Sequence, residues 1–247
     1  MELESIIILA VLIFIAAILY SSVGHAGASG YLAAMALFVM SPLEMKPTAL
    51  TLNILVASIA LTKYLKAGCF SWSIFWPFAL SSIPFAYLGG LILLPSIYYK
   101  PIIGVTLIYA AIRFIKDAAK PDYIIKPPLM PVVLILGAGL GFFSGLIGIG
   151  GGIFLSPLLI MLKWEKVKKV SGIAAAFILV NSIAGFFGFI STKTPQIPEG
   201  LIIWAVVAVL GGYVGSEYGS NRFSNPTIKR LLSLVLLIAG AKMIVAA

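Results

Sequence analysis

The feature of this chain best able to do chemistry is a glycine-rich interruption that occurs twice. The first reads Ser21-Ser22-Val23-Gly24-His25-Ala26-Gly27-Ala28-Ser29-Gly30, the second Ser144-Gly145-Leu146-Ile147-Gly148-Ile149-Gly150-Gly151-Gly152. Each falls between a long apolar run and a shorter one. A helix that stops and restarts at membrane depth frees backbone N–H groups, and lipid offers them no acceptor. Two short helices starting there would aim their positive N-terminal ends at a shared space. That suits an anion without calling for a buried lysine, and glycine lets a ligand come close to the backbone. Tight helix packing explains any one of these glycines alone; the pairing of the breaks favours binding. The expected contacts are Ser22, Gly24, His25, Gly27 and Ala28 from the first break, with Gly148, Gly150, Gly151 and Gly152 from the second.

His25 is the single histidine and lies inside the first break. It reads as a proton-coupling group or a donor to a bound anion, because imidazole titrates near neutrality and ionisable groups at membrane depth are functional by default. The alternative is a neutral ring bonded to a local carbonyl. Asn53, Ser58, Asn181 and Ser182, with Thr51, put amide and hydroxyl groups on two further apolar runs. They either line a pathway or hydrogen-bond between helices. Glu217 is the one acid within a helical run and reads best as half of a surface ion pair, Arg222 being near in sequence. A single cysteine, Cys69, and a single histidine leave no metal cluster and no intramolecular disulfide, so no cofactor is expected.

The elements that must position these residues follow from composition. Of 247 residues, 61% are hydrophobic and 10% charged, with mean hydropathy +1.12. Soluble domains carry about 25% charged residues, so a soluble enzyme and a disordered chain are both excluded. The expectation is an all-α polytopic membrane protein. Its net charge of +9 is read as loops facing an anionic cytoplasmic leaflet, not as a nucleic-acid surface. The opening residues carry Glu2 and Glu4 and lack the basic start of a signal peptide; they read as a retained helix. Apolar runs predict about ten membrane elements, at 6–22, 27–40, 49–65, 74–94, 102–115, 129–145, 150–162, 171–190, 200–218 and 227–245. Elements 2 and 7 are too short to span comfortably.

The halves resemble each other. Ile54-Leu55-Val56-Ala57-Ser58-Ile59-Ala60 matches Ile178-Leu179-Val180-Asn181-Ser182-Ile183-Ala184 at all but one position, and the same offset sets Gly24 on Gly148 and Gly27 on Gly151. Residues 1–116 then form a first repeat, 117–128 a cytoplasmic linker and 129–247 a second repeat. With ten crossings, Lys46, Lys100, Lys193 and Lys242 lie on one side and the remainder of the 17 Lys+Arg on the other. The positive-inside rule therefore places both termini outside the cytoplasmic membrane. Five crossings per half make the repeats inverted, as in secondary transporters.

Phe143-Ser144-Gly145-Leu146-Ile147-Gly148-Ile149-Gly150-Gly151-Gly152, then Ser156-Pro157, Phe177-Ile178-Leu179-Val180-Asn181-Ser182-Ile183-Ala184-Gly185, and Gly211-Gly212 with Gly215-Ser216 and Gly219 together resemble the sulfite exporter TauE/SafE family of small permeases. The first half departs from that pattern at Gly24-His25-Ala26-Gly27-Ala28, and Ala174 stands where threonine or serine is expected. The resemblance implies transport of sulfite, organosulfonates or other small sulfur or carboxylate anions across the cytoplasmic membrane. The expected function is a secondary transporter, an exporter working by alternating access, with membrane lipid and the anion as partners; assembly into a homo-oligomer stays open. The alternative is a channel for a small anion or neutral solute.

Overall fold

The computed structural model describes residues 2–38, 40–116 and 124–221, together with Leu237, Ala241, Ile244 and Val245. The expected tenth helix, 227–245, lies outside the described residues except for those last four, and so does 117–123 of the linker. The described part is all-helical. Its nine long elements are α1 (Leu3–Ser21), α2 (Ala28–Leu37), α3 (Pro42–Lys66), α4 (Trp72–Leu91), α5 (Ser96–Lys116), α6 (Met130–Ile147), α7 (Gly152–Met161), α8 (Val167–Thr192) and α9 (Leu201–Asn221). Six of these, α1, α3, α4, α6, α8 and α9, are long and apolar enough to cross a membrane. Helices α2 and α7 have 10 residues each, about 15 Å of helix against a hydrocarbon core of roughly 30 Å.

Two helices begin well before the positions expected from hydropathy. Helix α3 starts at Pro42, not near residue 49, and α5 at Ser96, not near residue 102. A local signal explains α3. The Glu44 carboxylate accepts from both the backbone N–H and the hydroxyl of Ser41, at 3.0 and 2.9 Å, and Pro42 supplies the preset φ of a first helical turn. This start carries Lys46, expected in an outer connection, into the second turn of α3, where it is fully buried. Glu217 does form an ion pair, but its partner is Lys63 of α3, whose ammonium also lies 4.0 Å from the centre of the Tyr213 ring.

Helix directions follow from which residues meet. A Cβ on Gly137, Gly141 or Gly145 of α6 would overlap Ser81, Ser82 and Ala86 of α4 in turn, so α4 and α6 are parallel. On α9, Gly211, Gly215 and Gly219 press in the same way on the backbone at Phe14, Ile18 and Ser22 of α1, so α1 and α9 are parallel. Helices α3 and α9 also run together, through Val56 on Gly212 and Lys63 on Glu217. Helix α8 runs with α4, since Phe78 meets Phe177 and Leu91 meets Thr192. Against α3 it is antiparallel, with Gly172 beside Tyr64 and Gly185 beside Leu50. One set of helices, α1, α3 and α9, thus points one way, and α4, α6 and α8 point the other. The segments that hold α2 and α7 return the chain between parallel neighbours.

Both tight pairs rest on glycines four residues apart. Helices in lipid gain little from burying apolar surface against one another, so close backbone approach takes its place. The large side chains turn outward: Ile7, Val11 and Ile15 on α1, Ile202, Val206 and Leu210 on α9, and Ile135 on α6 are exposed.

The contrast between Gly145 and Gly139 tests this packing. Gly145→Ala forces a methyl against the Ala86 carbonyl and is expected to lower stability by about 1–3 kcal/mol. Gly139 has no atom within 4 Å of a Cβ, so Gly139→Ala is neutral or stabilising by about 1 kcal/mol through helix propensity. Thermal unfolding of both variants in detergent measures the difference.

Candidate functional site

Both breaks are built on left-handed glycines. Gly24 and Gly27 have φ of +80° and +112°; Gly148, Gly150 and Gly151 have +87°, +81° and +77°. Side chains other than glycine pay a steric penalty there, so each turn depends on its glycines. Gly27 and Gly151 are the N-caps of α2 and α7, and neither supplies a side-chain acceptor to the helix it begins. Ser22, in the turn before, is partly buried and bonds back to Leu19 O at 2.7 Å.

Four carbonyls at the breaks accept from tyrosine hydroxyls. Tyr64 of α3 donates to Ser21 O and Ser22 O at 3.2 and 3.0 Å. Tyr31 reaches back over Gly27 to Ala26 O at 2.5 Å, and Tyr99 of α5 donates to Ile147 O at 2.9 Å. The N–H groups of the first turns fare differently. In α7 the earliest N–H groups bonded to Gly151 O are those of Phe154 and Leu155, which leaves Gly152 and Ile153 without an intrahelical acceptor. In α2, Tyr31 N–H bonds to Gly27 O, and the residues from Ala28 to Gly30 stand in the same position as Gly152 and Ile153. Among the described residues, the first-turn N–H groups of α2 and α7 have no side-chain acceptor at their N-caps.

The two breaks touch. His25 Nε2 lies 3.1 Å from Gly152 O and 3.2 Å from Ser156 Oγ, both on α7. A carbonyl only accepts, so Nε2 carries the proton and donates. This is the local-carbonyl contact considered for His25, made to the other break. On the far side of the same loop, Gly150 sits against Asn53 Nδ2 of α3 and Ser182 Oγ of α8: a Cβ there would lie 3.0 Å from each. Asn53 donates to Ser182 at 3.3 Å, and its amide oxygen Oδ1, an acceptor, is buried without a partner among the described residues. Ser144 Oγ is also fully buried without a partner, and it faces Gly151, whose Cβ would meet Ser144 Cβ at 3.3 Å. Asn181 bonds back to Phe177 O at 2.8 Å and leaves Oδ1 unpartnered.

Of the residues expected from sequence, His25, Asn53, Gly150, Gly151, Gly152 and Ser182 come together, with Gly148 adjoining. Gly24 instead packs on the backbone of Ser171 at the start of α8. Ser58 is not brought in: it is exposed and bonded to Ile54 O at 2.7 Å. Five residues along α3 from Asn53, it falls on a different face. Three residues at the breaks escaped the sequence reading. Ser144 and Ser156 stand inside motifs already singled out. Lys46 packs its stem on Gly148, with Cγ 3.2 Å from where a Cβ would be; the Ser41–Glu44 capping pair was the signal that could have found it. Two cavities lie elsewhere. One of about 640 Å³ is an apolar groove between α4 and α8, and one of about 390 Å³ is lined by Pro127, Pro128 and Trp164.

Comparison with known proteins agrees with this architecture. The family model for the sulfite exporter TauE/SafE matches residues 9–243. The chain belongs to that family. "Probable membrane transporter protein y4hK" of Sinorhizobium fredii is 37% identical over 240 residues, which covers 96% of this chain and 97% of that protein. A "Probable membrane transporter protein" of Methanocaldococcus jannaschii is 26% identical over 75% of this chain and 73% of its own length. YjnA of Bacillus subtilis, of the same description, is 27% identical over 67% of this chain and 71% of its own. No solved structure matches significantly. The protein is a multi-pass membrane transporter of the TauE/SafE family.

Backbone strain and lack of space coincide at Gly150. Gly150→Ala would place a Cβ 2.7 Å from Ile178 Cγ2 at φ +81°, and is expected to cost about 2–4 kcal/mol of stability. Gly68→Ala, at φ +67° with open space around it, carries the strain alone, about 1–2 kcal/mol. Parallel melting curves compare the two; equal losses would show that room at the second break is not limiting.

Proposed function

We propose that this TauE/SafE protein carries a small anion such as sulfite or an organosulfonate, in the direction of export, by alternating access around the paired breaks. The observation behind this is the contact of His25 with Gly152 and Ser156, which joins the first break to the start of α7. Oxyanion oxygens suit such donors. In this reading Gly27, Ala28, Gly151 and Gly152 offer backbone N–H groups, and Ser22, His25, Asn53, Asn181 and Ser182 add side-chain contacts. Helix N-termini alone also arise from packing, so the buried Ser144 hydroxyl beside Gly151, without a partner among the described residues, is the independent support.

The inverted repeat belongs to the same proposal. If residues 129–247 repeat 1–116, then α1, α2, α3 and α4 correspond to α6, α7, α8 and α9. Corresponding helices then point in opposite directions, and the pair α4–α6 corresponds to α9–α1, the other glycine-seamed pair. Antiparallel α3 and α8 would lie across the pseudo-two-fold axis. Rocking of one half against the other about that axis is the movement such repeats use. Both termini outside the cytoplasmic membrane is the orientation that accords with loop charge.

A channel is the other transport class. The packing at the second break, where Ile178 and Phe177 close on Gly150, Gly151 and Gly152, favours an occluded carrier.

Two experiments test the reading. Purified protein is melted with sulfite, thiosulfate, sulfoacetate, sulfate and acetate; at least one should raise the melting temperature by binding the folded state, and a flat response to all five counts against an anion site. For the proton role, His25→Gln should flatten the pH profile of transport into proteoliposomes around neutrality. An unchanged profile rejects His25 as the coupling group.

A further inference from the structure

Lys46 is the buried charge that the fold places beside the second break. It is fully buried in the second turn of α3. Its ammonium donates to Ile92 O at 2.8 Å, Gly90 O at 3.2 Å and Gly89 O at 3.4 Å, at the C-terminal end of α4. It also lies 5.6 Å from the centre of the Phe189 ring on α8. Among the described residues no carboxylate pairs with it.

A lysine at a helix C-terminus is a familiar cap, and the negative end of α4 attracts it. That attraction is smaller than the penalty for holding an ammonium in a fully buried site without a counter-ion. An exposed cap would bring the same benefit without the penalty. Position supplies the missing reason. The Lys46 stem lies on Gly148. Asn53, two turns along the same face of α3, sets the Nδ2 that it shares with Ser182 against Gly150. Helix α3 thus lays a positive charge and an amide donor along one break, and the flexible four-carbon stem lets the ammonium move between partners.

We propose that Lys46 is the charge-compensating residue of the anion site, its ammonium resting on the α4 carbonyls when the site is empty and pairing with an oxyanion that enters at the second break. This inference rests on the anion-site reading above and names the charge that makes the site select anions. Transfer of the ammonium also links binding to movement. The α4 end that it leaves is bonded through Leu91 O to Thr192 of α8 at 3.0 Å and packs on α6 at Gly145, so loading the site loosens the junction between these helices.

The test uses purified full-length protein and reads two quantities, the melting temperature without ligand and the affinity for sulfite from ligand-induced shifts. Lys46→Met and Lys46→Gln both remove the charge; the glutamine keeps a donor for the α4 carbonyls. Both are expected to weaken sulfite binding by about tenfold or more, while Lys46→Arg keeps most of the affinity. A purely structural cap predicts a lower starting melting temperature with unchanged affinity, and that result in either neutral variant overturns the proposal. Failure of both neutral variants to fold likewise makes Lys46 a structural cap and overturns it. If the wild-type protein responds to none of the five anions, the site reading itself has failed and this inference goes with it. A response in the wild type that survives loss of the charge removes only the role of Lys46.

Discussion

A peptide group that leaves its helix within a bilayer must find its partner inside the protein. This constraint governs the centre of the molecule, because the chain leaves helical geometry at 22–27 and again at 148–151. The carbonyls released there are met by phenols: Tyr64 on Ser21 and Ser22, Tyr31 on Ala26, Tyr99 on Ile147. The N-caps of α2 and α7 are glycines and offer nothing to the donors. A break needed only for packing would gain from a serine or aspartate cap, worth about 1 kcal/mol. Withholding that cap at both restarts is consistent with a partner that comes from outside the chain.

Precision at the breaks depends on the helices that carry them. Two seams hold the frame, each with three glycines at intervals of four, on α6 against α4 and on α9 against α1. Between the seams, α3 and α8 cross at the middle and put Asn53 beside Ser182. A side-chain hydrogen bond in a membrane contributes little by itself, about 0.6 kcal/mol on average in one measured system. The value of this bond is positional: it holds two polar groups against Gly150.

Much of this was legible in the residues. Glycine clusters between unequal apolar runs mark both breaks, and run length marks α2 and α7 as short. The sulfite exporter resemblance rests on those same clusters. Hydropathy reads helix starts poorly where a helix begins in polar sequence. Leu43-Glu44-Met45-Lys46 looks like a connection until the Ser41–Glu44 cap is noticed, which is why α3 begins seven residues earlier than its apolar stretch and why Lys46 was set among loop charges. Ser58 failed for another reason. Repeat equivalence to Ser182 says that two residues occupy like places in each half, and antiparallel helices about an axis need not turn both toward the same space. Contacts across the breaks, such as His25 on Ser156, join residues 131 apart in sequence, and no local pattern encodes them.

Electrostatics joins these parts. Two helix N-termini and one ammonium make the interior positive, and low dielectric strengthens each contribution. A carrier of anions must cross its cycle both loaded and empty, so the positive charge needs a partner in each state. In the proposed cycle, the α4 carbonyls would give Lys46 that partner in the empty state without a carboxylate. A carboxylate there would pair more strongly than a row of peptide dipoles and would compete with the anion for the same ammonium. Peptide carbonyls at a helix end hold the charge loosely enough to be displaced. The same choice recurs at His25, which bonds to a carbonyl and a hydroxyl of α7, and at Asn53, which bonds to a hydroxyl. In the proposed site, neutral dipoles as resting partners would let an oxyanion, a stronger acceptor, displace them.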